Sequence, residues 1–270
     1  MLKATYFQHH QDDRISHRGW RPDLPDFRDH KMTTSFPKFA ARLGDAPALP
    51  RKVSLREFCS PVRDQGDIGS CTGFATCAAV ELLRRTDADT YSTIYSPLYA
   101  YWRARWYDNS VPHDGGAYIR DAIKGVVNYG VPPESSWPYR PERFAKNPTA
   151  SAEKAAARWK LGEYVRCESL ADIKIAIAAG SPVVGGFICY SSMFTGEVYD
   201  SGDIPMPSPT DDFFGGHAVC FIGYDDGTRR VTFKNSWSEL WGDGGYGTLP
   251  YEYVSNRDLS DDFWALTREA

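Results

Sequence analysis

The chain has little sulfur for its size: 270 residues carry six cysteines, Cys59, Cys71, Cys77, Cys167, Cys189 and Cys220, with no CxxC pair among them. That dispersal excludes the usual zinc-ligand spacings. It also requires no disulfide framework, so mostly free thiols are expected. Long hydrophobic runs are missing as well. The longest nearly uncharged apolar stretch, Ile175 to Cys189, is interrupted by Gly180-Ser181-Pro182 and is too short to span a bilayer. Charge of one sign is not in excess: 31 basic residues face 35 acidic ones, a net of −4, and no basic stripe is interleaved with aromatics. Nucleic-acid binding and attraction to an anionic membrane therefore have no support. The opening residues, Met1 to His10, contain no apolar core of a secretory signal, which predicts a cytoplasmic protein or one exported by a leaderless route. No internal repeat and no low-complexity tract is present.

What the chain does have is a core. Hydrophobic residues make up 42% of it and aromatics 14%, ample for a packed domain of this length. Residues 1–46 differ from the rest. They are polar and proline-broken around Trp20-Arg21-Pro22-Asp23-Leu24-Pro25-Asp26-Phe27, a segment that forms no core alone. It reads either as a solvated tail or as a strap on the body, with Trp20, Leu24 and Phe27 as anchors. From Leu49 onward the pattern is that of a folded protein. Helices are expected at Gly73 to Leu83, at Leu98 to Tyr107 after the Ser96-Pro97 start signal, and at Ala117 to Tyr129 before Gly130. Further helices are expected around Ala150 to Ala157 and from Ser169 to Ala179. Strands follow at Pro182 to Cys189, Ala218 to Tyr224, Val231 to Lys234 and Tyr246 to Leu249, with Tyr199 to Gly215 as a long loop. Helices first and strands second predict an α+β protein of two lobes with a cleft between them.

The chemistry centres on Gln65-Gly66-Asp67-Ile68-Gly69-Ser70-Cys71, a glycine-punctuated loop running straight into the first helix. A cysteine in an apolar helix is ordinarily a small buried hydrophobe. This one falls in the first turn, where unpaired N–H groups and the positive end of the helix dipole favour a thiolate. Gln65 is placed to aim an amide N–H at an oxygen beside the sulfur. A reactive thiol also needs a base, and the base needs an acceptor that fixes its tautomer. His217, at the start of an apolar strand, and Asn235, at the end of the next, supply one residue of each kind.

In order and motif, the sequence resembles the papain-type cysteine peptidases from Leu49-Pro50 nearly to its end. The Gln65 to Cys71 segment matches the family's Gln-Gly-x-x-Gly-Ser-Cys motif, and His217-Ala218-Val219 its His-Ala-Val. Asn235-Ser236-Trp237 matches Asn-Ser-Trp, and Trp241-Gly242-Asp243-Gly244-Gly245-Tyr246 its Trp-Gly-x-x-Gly-Tyr.

The resemblance implies a papain-like fold with a helical lobe and a β-barrel-like lobe. It implies hydrolysis of peptide or protein substrates by nucleophile Cys71, base Cys71's partner His217, orienting Asn235 and oxyanion donor Gln65, with no metal or cofactor. It further implies a resting thiolate–imidazolium pair, a Trp237 that shields the His–Asn bond, and substrate contacts at Gly115, Gly116 and Gly216. In the family the paired glycines run antiparallel to the substrate backbone. Another Cys-His acyl-transfer activity on the same fold, or an inactive binding module, remains open at this point. The expected layout is an extension at 1–46, a strap or inhibitory segment in contact with the body, and a peptidase domain at 47–270. Its helical lobe lies mainly at 65–160 and its strand-rich lobe mainly at 161–255. Three departures stand out. Thr72 follows the nucleophile where plant and lysosomal members have tryptophan, Ile68 and His113 occupy two positions that usually form a disulfide, and Gly216 precedes the base.

Overall fold

The computed structural model describes residues 19–33, 39, 48–85 and 93–267. Of the 1–46 extension, residues 1–18, 34–38 and 40–46 lie outside this set. Strand β1, Trp20–Arg21, comes first, followed by β2, Lys52–Ser54. Helix α1, Cys71–Arg85, is buried from Cys71 through Leu83 and forms the axis of the molecule. Small residues on several of its faces allow close packing on all sides, and α2, Pro97–Tyr107, crosses it at Gly73, where an added Cβ would meet the Pro97 carbonyl at 2.3 Å. Ser96 caps α2 by accepting from the Tyr99 N–H, with Pro97 in the first turn.

The expected helix at Ala117 is resolved into two elements: Ala117–Tyr118 forms strand β3, and α3 runs Ile119–Tyr129 to a left-handed Gly130. Helix α4, Ala150–Ala156, is capped by Thr149. Strand β4, Tyr164–Cys167, then leads to α5, Leu170–Ala178, capped by Ser169, and to β5, Val183–Tyr190.

The expected loop from Tyr199 to Gly215 is structured at both ends. Helix α6, Gly196–Ser201, starts on the Thr195 hydroxyl and stops at Gly202, which has φ +74°. Strand β6, Phe213–Asp225, begins earlier than its apolar run because Phe213 pairs with Tyr190 across a bulge. The β6–β7 hairpin turns at Asp225, whose side chain accepts from the Gly227 N–H, and β7 is Arg230–Lys234. Strand β8, Tyr246–Pro250, the short helix α7, Tyr251–Ser255, and β9, Ser260–Leu266, complete the described chain.

Strands β4-β9-β5-β6-β7-β8 form one sheet in that order, antiparallel throughout, with β2 joined to β6. The protein is thus α+β with a helical part and a strand-rich part, and α1 packs on β6 between them. Among the described strands the sheet stays open, so the barrel-like lobe is an antiparallel sheet without closure. Strand β9 lies beyond the expected limit of the strand-rich lobe and fills the place between β4 and β5. The sequence offers no signal for it, and the pairing buries Asp262 of its acidic start almost completely. All six cysteines are free thiols. Among the described residues, no helix is long and apolar enough to cross a membrane.

Candidate active site

Cys71 is the first residue of α1, on a turn in which the Ser70 carbonyl accepts from the Phe74 N–H. The Ser70 hydroxyl bonds to the Tyr139 hydroxyl at 2.7 Å, and Tyr139 bonds in turn to the Gln65 carbonyl at 2.6 Å, which ties the glycine loop to the helix start. Across the cleft, β6 brings its backbone to the sulfur: the Ala218 N–H donates to Cys71 Sγ at 3.4 Å. His217, one residue earlier, bonds through Nε2 to Asn235 Oδ1 at 2.8 Å. Asn235 Oδ1 also accepts from the Ser236 N–H, so its orientation is set from two directions. Trp237 covers the imidazole at a centroid distance of 4.5 Å, and Trp241 packs edge-on against Trp237. Gln65 is buried, with Oε1 accepting from the Ser236 hydroxyl at 2.7 Å and Nε2 donating to the Ile68 carbonyl at 3.1 Å. Two pairs distant in sequence, Gln65 with Cys71 and His217 with Asn235, thus come together where α1 faces the sheet.

The cleft is occupied by the chain's own N-terminal segment. Gly19 lies directly on Cys71: a Cβ added there would sit 2.2 Å from Cys71 Sγ and 3.0 Å from the Gly69 carbonyl oxygen. Its N–H donates to the Gly216 carbonyl at 3.0 Å and its carbonyl accepts from the Ala117 N–H at 2.9 Å, so one residue spans both walls. Strand β1 continues parallel to β3, pairing Trp20 with Ala117 and Arg21 with Tyr118. Arg21 bonds to Asp108 and to the Tyr118 hydroxyl, over whose ring its guanidinium stacks. Beyond it, Arg120 of α3 bonds to the Leu24 carbonyl and faces Asp26 and Asp29 at 3.6 and 3.4 Å. On the sheet side the Arg166 N–H donates to the His30 carbonyl at 2.7 Å. Of the expected apolar anchors only Trp20 is buried; Leu24 is 68% and Phe27 97% exposed. The segment is held by Trp20, Met32 and ion pairs instead, because its backbone carbonyls and carboxylates meet the two arginines before Leu24 and Phe27 can reach a surface.

The N-terminal segment meets the helical wall at Ala117, whose N–H reaches the Gly19 carbonyl, next to the glycine pair expected to contact substrate: an added Cβ on Gly115 would meet open space, and the Gly116 N–H donates to the Tyr101 hydroxyl at 3.2 Å. Gly216 does contribute its carbonyl to the cleft. Sequence reasoning also missed the buried network behind the site. Glu81, within α1, accepts from Arg63 and from the Tyr95 N–H and bonds to the Ser60 hydroxyl, and Lys234 Nζ donates to Ser60 at 2.6 Å. The network anchors the residue before Asn235 to α1. A glutamate in the middle of an otherwise apolar helix was its visible sign.

A sequence model described as "Papain family cysteine protease" matches residues 49–257. The chain is a papain-family cysteine protease. A mimivirus protein of Acanthamoeba polyphaga mimivirus, printed as an uncharacterized peptidase C1-like protein, is 33% identical over 254 residues, covering 90% of this chain and 80% of its own. Xylellain, a cysteine protease from Xylella fastidiosa, is 36% identical and superposes with a TM-score of 0.82 over 95% of this chain and 97% of its own. A digestive procathepsin L 3 from Tenebrio molitor has the same fold, with a TM-score of 0.70 at 20% identity over 97% of this chain and 79% of its own.

In this protease the covered cleft reverses one expectation. With the cleft covered, burial pushes the Cys71 thiol up to about 12, against the opposing pull of N–H groups from Ala218, Thr72 and Cys71 itself. A thiolate loses its hydration when the segment excludes water, and the helix terminus alone does not compensate.

The segment's docking carries a pH dependence. Asp23 accepts from the Trp264 indole N–H at 2.9 Å, while its own N–H donates to the Asp262 carboxylate at 2.6 Å. Burial first, and the Asp262 charge second, raise Asp23 to about 7, with Trp264 and Arg120 pulling the other way. A carboxyl raised on docking makes docking take up a proton. Docking is therefore fully stabilised below the ordinary carboxylate range and weakens as pH rises toward neutrality. The Trp20 indole N–H, which donates to Asp262 at 3.0 Å, reports the docked state. Its resonance should lose intensity or shift upfield between about pH 4 and pH 7, and Asp23→Asn should remove most of that change. A resonance constant over this range would contradict the assignment.

Proposed function

We propose that the chain hydrolyses peptide bonds through Cys71, His217, Asn235 and Gln65, and that the 1–46 extension, through its described part, holds the 47–270 peptidase domain inactive until it is lifted. The observation that carries the reading is the Ala218 N–H on Cys71 Sγ beside the His217–Asn235 pair at 2.8 Å. With the segment away, water and the imidazolium of His217 stabilise the thiolate. The sulfur attacks the peptide carbonyl, forming a C–S bond. The Gln65 amide and the Cys71 N–H at the helix terminus receive the negative oxygen. Collapse breaks the C–N bond as His217 gives its proton to the leaving amine. His217 next takes a proton from water, which attacks the thioester and frees the thiolate. Asn235 holds the ring through both transfers, and Trp237 keeps water from its bond.

The segment is not cut as a substrate because β1 runs parallel to β3, whereas the family resemblance implies a substrate antiparallel to that edge. Its Gly19 carbonyl is engaged by the Ala117 N–H instead. The precursor form of a protein with this fold, procathepsin L 3, supports an intramolecular covering segment.

Mass spectrometry of peptides released from a denatured proteome tests the activity. The full chain should release new peptide ends once the segment is displaced, and Cys71→Ala should release none. Equal release by both would overturn the assignment of Cys71.

A further inference from the structure

The NH2 end of Gln65, the oxyanion donor of the proposed reaction, is held by a single peptide unit. The Ile68–Gly69 peptide turns its carbonyl to the Gln65 side chain, accepting from Nε2 at 3.1 Å, and to the Ser70 N–H at 2.7 Å. An NH2 group has two hydrogens, so this bond fixes one and leaves the other free to be aimed. On the opposite edge of the same unit, the Gly69 N–H donates to Asp114, 3.1 Å from Oδ1 and 3.2 Å from Oδ2. A carboxylate is a charge-assisted acceptor, stronger than a neutral one.

The backbone by itself holds the unit only through the short-range bond to Ser70. Gly69 has no Cβ, and a residue that tolerates positive and negative φ alike lets the peptide before it rotate and point its carbonyl elsewhere. The same lack of a Cβ permits close approach of the two loops, because an added one would meet the Gly116 nitrogen at 3.2 Å and Asp114 Oδ1 at 3.4 Å. Asp114 is in turn placed by α2. The hydroxyl of fully buried Tyr101 donates to Oδ1 and accepts from the Gly116 N–H at 3.2 Å. Arg105, also fully buried, sets its guanidinium 3.9 Å from the centre of the Tyr101 ring and donates to the Val111 and His113 carbonyls at 2.8 and 3.0 Å. None of these bonds is made by residues 19–33, so they persist when the cleft is uncovered.

We propose that Asp114 is a positioning residue for peptide hydrolysis, locking the Ile68–Gly69 peptide so that the Gln65 amide is aimed at the oxyanion. The inference rests on the peptidase reading and on the role given there to Gln65. Asp114 acts through Gln65 rather than on the reacting atoms. Without its carboxylate the Gly69 N–H turns to water, and the peptide leaves Nε2 in part of the population.

The test is a double-mutant cycle in the full chain carrying Gly19→Ala, with an internally quenched peptide whose sequence is cleaved in the proteome digest. Asp114→Ala should lower kcat by about 10–100-fold with KM nearly unchanged, less than removal of the oxyanion donor itself costs. Asp114→Asn, which keeps an oxygen for the Gly69 N–H, should recover most of that loss. In a Gln65→Ala background, Asp114→Ala should cost less than about twofold, because the group it positions is already gone. A brace that merely stabilises the loops would lower kcat by the same factor in both backgrounds, and that additivity would overturn the inference. So would Asp114→Asn as slow as Asp114→Ala, or a loss confined to KM.

A second readout needs no turnover. The side-chain NH2 resonances of Gln65, identified by their loss in Gln65→Ala, should move in Asp114→Ala together with that of the Gly69 N–H, and return most of the way in Asp114→Asn. Unmoved Gln65 resonances would sink the proposal. Resonances that move and return, in a parent whose Cys71 reacts with iodoacetamide but which releases no peptide, would sink the peptidase reading and leave the positioning of Gln65 standing.

Discussion

A full-length chain carrying Gly19→Ala should react with iodoacetamide at Cys71 about tenfold faster or more, since each ~1.4 kcal/mol of docking energy lost is a factor of ten in the open fraction. The new methyl group has nowhere to go. It would stand 2.2 Å from Cys71 Sγ and 3.0 Å from the Gly69 carbonyl; the first is the short side chain of a fully buried residue and the second is backbone of the loop before α1, so neither can swing away. The segment itself must therefore lift. Lifting breaks the bonds from Gly19 to Gly216 and Ala117 and readmits water to a thiol that burial holds near 12. The rise should be confined to Cys71, because Cys77, Cys167, Cys189 and Cys220 are buried within α1 and the sheet, each with its thiol pushed up by that burial, and half-buried Cys59 is pushed up in the same way. Thermal stability distinguishes this from a brace: a variant that loses stability without faster labelling would show that the segment supports the body and does not guard the site.

Removing the Gln65 amide should lower kcat by about 10²–10³ while leaving KM nearly unchanged, the signature of a donor that acts mainly on the developing oxyanion. The measurement belongs in the Gly19→Ala background, where the cleft is open. Gln65 is positioned by three independent contacts: its N–H on the Ser236 carbonyl, its Oε1 on the Ser236 hydroxyl and its carbonyl on Tyr139. With Oε1 committed to Ser236, the NH2 is the end turned toward Ile68 and the helix start. Gln65→Glu is the sharper companion, since a carboxylate keeps the bond from Ser236 and offers no donor to an oxyanion. A raised KM at constant kcat in either variant would reassign Gln65 to substrate binding.

Local signals in the sequence mark most of the architecture. The caps at Ser96 and Ser169, the stop at Gly130, the tight turn after Asp225 and the uninterrupted apolar run of α1 each fix an element from a few neighbouring residues, and those elements form as expected. The misses have a common cause. Strand β9 begins with two aspartates, and Ala117–Tyr118 is indistinguishable from a first helical turn until β1 pairs with it. A strand whose charges are satisfied by arginines on other elements has no local signature.

The same division holds at the site. Residue types and their order bring forward Gln65, Cys71, His217 and Asn235 as candidates, because each chemical role admits few side chains, and the fold brings these four together. Which backbone N–H meets the segment is a matter of register: that of Ala117 reaches Gly19, while that of Gly116 donates to the Tyr101 hydroxyl. The fate of residues 19–33 is likewise invisible locally: prolines forbid a helix, but Leu24 and Phe27 read as anchors and are exposed, while Asp23 and Asp29 do the holding. The sequence by itself determined the fold class, the residue types of the reaction centre and the peptidase family. The packed chain alone places Gly19 on Cys71, buries that thiol so that its pKa is pushed up, and brings the Trp20 indole to Asp262. Those facts depend on burial and on partners far apart in the chain, and both exist only once α1, β6 and β9 are packed together.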